Sequence, residues 1–235
     1  MTIRVVRVAG TVYQEWMLTK RRGAGLGAGA LVLLIAFAGC GGRSSAPASL
    51  PLPPTSKDAL RAPEDFAGIP DRDDRARALF VEASRVMLHP RCTNCHPAGD
   101  SPTQGNDGRL HDPPVARGPK DRGVPALECT SCHQDRNVEL ARVPGAPSWH
   151  LAPIEMAWAD KTPATLCDQL KDRKRNGDRS LDQVVEHTAH DALVGWGWAP
   201  GHGREPVPGT RAQFTALVAA WVKEGAACPK DEVKR

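Results

Sequence analysis

Apolar side chains recur at helical spacing in four stretches of the chain, and no stretch alternates convincingly at the two-residue period of a strand. Asp71 to Leu88 sets Leu79, Phe80, Ala83, Val86 and Met87 on one stripe, and Pro90 is predicted to stop that helix. Thr162-Pro163 opens a second helix through Leu166, Cys167 and Leu170, with proline at the first helical position, where its missing N–H costs nothing. Ser180 and Gln183 form a capping box ahead of Leu181, Val184, Val185 and Thr188. Thr210 caps a terminal helix whose stripe is Phe214, Leu217, Val218, Trp221 and Val222, ending at Gly225. The pattern predicts a mainly α protein with extensive loops, a single domain over residues 60–235.

The amino-terminal text is different in kind. Lys20-Arg21-Arg22 precedes fifteen uncharged residues, Ala24 to Ala38, and then Gly39-Cys40-Gly41-Gly42, the layout of an export signal over residues 1–39. That run is short for a membrane span. Met17 lies just ahead of the basic cluster and offers a second possible start. Phe37-Ala38-Gly39-Cys40 resembles a bacterial lipoprotein signal, which implies lipidation at Cys40. Phe37 stands where such signals usually carry Leu, so ordinary cleavage to a soluble exported protein is the alternative. Residues 40–59, rich in Ser, Ala and Pro, read as a tether. The expected location is the periplasmic side of a membrane, reached through the lipid anchor.

Composition changes this picture in two ways. Residues 1–40 hold five of the 31 basic side chains and one of the 27 acidic ones, so the rest of the chain is charge-balanced and has no basic field for nucleic acid. Aromatic residues are only 5% and all 21 prolines fall after residue 40, which leaves a loop-rich domain short of bulky core material.

The cysteines supply the chemistry. Cys92-Thr93-Asn94-Cys95-His96 and Cys129-Thr130-Ser131-Cys132-His133 are two copies of Cys-x-x-Cys-His. Two thiols at that spacing add across the vinyl groups of one haem, and the adjoining histidine becomes the iron's proximal ligand. Two covalently attached haem c groups are therefore expected, forming much of the core. A zinc site of four thiolates is the alternative, but it leaves both histidines unexplained, and 33 residues separate the pairs, more than a compact zinc ribbon uses. Two disulfides between neighbouring cysteines are a further alternative. Cys167 and Cys228 are left as an even pair and are expected to form a disulfide in an oxidising compartment.

With His96 and His133 as proximal ligands, the sixth iron positions are expected from His111, His150 and His187, in no fixed order. His111 and His150 lie on loops able to fold over a haem face, and His187 lies near the buried stripe of its helix. His190 points away to solvent, Met156 reads as packing or a thioether ligand, and His89 is too close to Cys92 to serve its own haem. Trp196-Gly197-Trp198 places two indoles on a glycine-rich turn.

The sequence CTNCHPAGDSPTQGNDGRLH, then LECTSCHQDRN, PGAPSWHLAP, TPATLCDQLKD, LVGWGWAPG and WVKEGAACP resembles a family of exported dihaem c-type cytochromes often labelled isoquinoline 1-oxidoreductase subunit, over residues 78–229. That resemblance implies a protein that takes electrons from a molybdenum hydroxylase or similar periplasmic dehydrogenase and passes them to another cytochrome or the respiratory chain. It also implies that His96 and His133 are proximal ligands, that the distal ones come from the three loop and helix histidines, and that Cys167 pairs with Cys228. No flavin, molybdopterin or iron–sulfur motif is present, so no hydroxylation is expected of the chain alone. The competing expectation is a small dihaem peroxidase with one five-coordinate iron.

Overall fold

Each long helix begins where a side chain satisfies its free N–H groups. In the computed structural model, which describes residue 52, residues 55–201 and residues 203–231, Asp71 accepts from Asp74 N at the start of α1 (Arg72–Met87). Thr162, Ser180 and Thr210 do the same through capping boxes at α3 (Pro163–Lys171), α4 (Leu181–His190) and α6 (Arg211–Lys223). A short α2 (Pro90–Thr93) and α5 (Ala192–Trp196) complete the helices longer than a single 3-10 turn. Pro90 ends the first helix, as its lost N–H requires, but also opens α2, with His89 as the cap that accepts from Arg91 N.

The apolar stripes of α1, α3, α4 and α6 meet in one core. Leu79, Phe80 and Val86 pack with Leu166, Val184, Phe214, Leu217 and Trp221, with the Phe80 and Trp221 rings 4.8 Å apart. All three described phenylalanines lie here, which is how so small an aromatic allowance suffices. The helices pack an apolar core of their own side chains, and Val86, Leu170, Val184 and Phe214 of that core also border a cavity. The Cys167–Cys228 disulfide fastens the end of the chain after α6 to α3.

The remaining segment, roughly residues 94–160, is mostly loop. Its only described strand pairs are antiparallel and two residues long: β1 (Thr103–Gln104) with β2 (Arg109–Leu110), and β3 (Gly123–Val124) with β4 (Leu127–Glu128). Strands of two residues leave no alternation to read in a sequence. Its small apolar cluster is Ala146, Trp149 and Trp196, with Cys129 and Leu193 against it.

The expected tether docks earlier than its composition suggested. Arg85 donates to the carbonyls of Ser56, Lys57 and Ala59, and Gly209 N donates to Asp58 O. The export signal, Cys40 and His202 lie outside the described residues. Among the described residues no helix is long and apolar enough to cross a membrane.

Candidate functional site

Both Cys-x-x-Cys-His segments fold into the same turn. Cys95 N and His96 N donate to Cys92 O at 3.1 Å; in the second copy Cys132 N and His133 N donate to Cys129 O at 3.2 and 2.9 Å. Helical turn geometry at this spacing puts both sulfurs and the imidazole on one side of the backbone.

Each imidazole is then fixed from behind in the same way. His96 Nδ1 lies 2.7 Å from Met156 O and His133 Nδ1 lies 2.7 Å from Pro144 O. A carbonyl only accepts, so Nδ1 carries the proton and Nε2 is left with a free lone pair. Trp158 stacks on His96 at 3.5 Å and 9°, and Trp149 stacks on His133 at 4.5 Å and 7°. The loop after the second motif builds the first site: Ala152 N donates to Cys95 O, and Trp158 N to His96 O. The second site depends on Gly145, where a Cβ would collide with the carbonyls of Gln134 and Arg136. Asn137 Oδ1 accepts from both Gly145 N and Trp196 Nε1 at 3.0 Å, tying this loop to α5.

Two cavities open in front of the rings. One of about 790 Å³ is bordered by Cys95, Cys129, Cys132, His133, His111, Trp149 and Trp196. A narrower one of about 160 Å³ is bordered by Cys92, Cys95, His96, His150, His187, Trp158 and Trp198. Cys95, Arg91 and Trp196 belong to both walls, so the two sites adjoin.

The histidines expected as distal ligands thus separate. His111 stands beside His133, ring centroids 5.9 Å apart and planes at 68°. Its Nδ1 donates to Pro113 O at 2.8 Å, and His150 Nδ1 donates to Ser148 O, so both keep Nε2 free. His150 and half-buried His187 border the cavity of His96, and His187 Nδ1 lies 3.5 Å from an Asp191 carboxylate oxygen. The loop after the first motif thus brings His111 to the second, and the loop after the second brings His150 to the first while also supporting its own His133. His190 is exposed, and His89 is occupied as a helix cap. Met156, buried at the wall of the same cavity, contributes its carbonyl behind His96.

Burial sets the protonation of these groups. It pushes His96 down to about 4 against the opposing Met156 hydrogen bond, with nearby His187, Arg117 and His150 adding to the depression. His133 and His187 are lowered chiefly by the same cause. The Cys92 thiol is pushed up to about 12 and Cys95 to about 11, burial being the main cause; Cys129 is also raised. His96, His133 and His187 are therefore neutral imidazoles at pH 7, and Cys92, Cys95 and Cys129 neutral thiols.

The stacked tryptophans are invisible to motif reading, because their sequence positions carry no spacing relative to the cysteines they serve. Among the described residues no group of three or more His, Cys, Asp or Glu is placed to hold a metal ion by itself. Comparison with protein-family models, with curated proteins and with solved structures finds no match to this chain.

Proposed function

We propose that this chain is a dihaem c-type cytochrome that carries single electrons from a periplasmic molybdenum hydroxylase or similar dehydrogenase toward another cytochrome or the respiratory chain. The observation that carries the reading is the duplicated construction: two thiols, a neutral imidazole with Nε2 free, a carbonyl behind Nδ1 and a stacked indole, twice, each against its own cavity. Those donors fit the group. Thioether formation asks for two thiols three residues apart beside a bare imidazole nitrogen, next to a cavity.

Cys92, Cys95 and His96 would hold one haem, and Cys129, Cys132 and His133 the other. Each haem, when bound, supplies an iron that gains and loses one electron without other chemistry. The chain's own residues do the rest. The Met156 and Pro144 carbonyls fix ring orientation and raise the basicity of Nε2. Trp158 and Trp149 cover one face of each imidazole and shield it from water. His111 would be the second imidazole for the haem held by His133: its ring centroid lies 5.9 Å from that of His133 and its Nε2 is free. His150 and His187 share the corresponding side for His96. An iron held between two imidazoles would suit a carrier rather than a peroxidase.

The resemblance to the isoquinoline 1-oxidoreductase subunit family supports the donor named here, and the lipoprotein-like segment at Cys40 supports export and membrane attachment. The test is an optical redox titration of the purified protein, with carbon monoxide added to the reduced form. Two one-electron steps and no fast carbon monoxide binding are expected. A rapid carbon monoxide complex at one iron would replace the carrier by a peroxidase-like enzyme.

A further inference from the structure

Arg91 is 4% exposed, yet no carboxylate lies within ion-pair distance of it among the described residues. The contrast with Arg117 is direct: that arginine is equally buried, but pairs with Asp121 at 2.8 Å. Arg91 Nη2 donates to Gly105 O and to Asn106 Oδ1, both neutral. Its Nε is buried without a hydrogen bond, and Nη1 makes none either. Glu205, the acid whose field reaches Arg91, is held by Lys57 at 2.7 Å, and Arg204 adds a second positive charge nearby. A buried guanidinium in this position loses hydration without any ionic return, an arrangement that persists when an anion completes it.

The location says which anion. Arg91 directly precedes Cys92 and belongs to the walls of both cavities, where they adjoin at Cys95. Arg91 therefore borders the space that two tetrapyrroles would fill with Nη1 unpaired, and guanidinium N–H donors match a carboxylate. We infer that Arg91 is a carboxylate-binding residue that holds an acidic side chain of a porphyrin attached at these sites. The inference rests on the proposed haem attachment. The same chemistry would accept a free anion from solution, and the experiment separates the two.

Haem-loaded wild type, Arg91→Lys and Arg91→Gln are compared by redox titration, with Arg75→Gln, at the distant end of α1, as control. Loss of the positive charge favours oxidised iron, so Arg91→Gln is expected to shift the reduction equilibrium of at least one centre about tenfold toward the oxidised form, about 59 mV for one electron. Arg91→Lys is expected to recover most of that shift, and Arg75→Gln to show none. Unchanged potentials in haem-loaded Arg91→Gln overturn the inference and leave the cytochrome reading standing; absence of haem from the wild type overturns that reading itself. A crystal structure of the haem-loaded wild type decides the matter without any variant. A porphyrin carboxylate within hydrogen-bond distance of Nη1 supports the inference, and Glu205 or a solution anion in that place overturns it.

Discussion

Single atoms decide what the histidines can do. Four imidazoles, His96, His111, His133 and His150, each donate Nδ1 to a backbone carbonyl, which leaves four bare Nε2 atoms. The repeated spacing of Cys92, Cys95 and His96 and of Cys129, Cys132 and His133 is legible in the sequence. The supports behind each imidazole are not, because a carbonyl behind a ring has no side-chain signature: Met156 reads as packing or a thioether ligand, whereas its main-chain oxygen is what His96 uses. Likewise the assignment of His111 to the second motif depends on a loop crossing that spacing cannot encode. If that assignment is correct, His111→Ala opens one of two irons. Reduced variant protein is expected to bind carbon monoxide at one centre per chain where wild type binds none, measured by flash photolysis; no binding would return His111 to the surface.

At the scale of elements, caps and stripes made the helices legible. Asp71, Thr162, Ser180 and Thr210 begin helices where their neighbours' periodicity said they would, and the Cys167–Cys228 pair joins α3 to the segment after α6. The hairpins escaped notice because two residues show no period. Replacing both disulfide cysteines by serine releases a sequence separation of 61 residues. On chain-entropy grounds this costs about 4 kcal/mol of stability, to be read from denaturant unfolding; a loss near zero would show that α3 and the terminus are held by packing alone. A pH effect belongs to the same region. Arg75, at 2.8 Å, holds the Glu224 carboxyl below its usual range and links α1 to the end of α6. A depressed carboxylate stabilises above its unfolded pKa and loses that contribution as pH falls through the folded value. Glu224→Gln should therefore flatten the acid limb of stability below about pH 4.3 and leave its slope near neutrality unchanged. An unaltered acid limb would remove the pair from the account.

Over the whole domain, two kinds of interior divide the labour. The helices pack on Phe66, Phe80, Phe214 and Trp221, while the loop segment gathers little more than Ala146, Trp149 and Trp196 around its cavities. Composition revealed the shortage of bulk but not its uneven placement, which follows from where the apolar stripes of distant helices converge. Chain that has not received cofactor is expected to keep most of its helical circular dichroism and to be cut by protease first within residues 98–148. Uniform resistance, or complete loss of helix, would contradict that division. The central claim is covalent attachment at both motifs, and intact-mass measurement joined to alkaline pyridine absorption tests it most directly. Protein made in a host that matures c-type cytochromes should carry two haem additions per chain, one lost on replacing Cys92 and Cys95 by serine and the other on replacing Cys129 and Cys132. A colourless protein of unmodified mass from such a host would contradict the account.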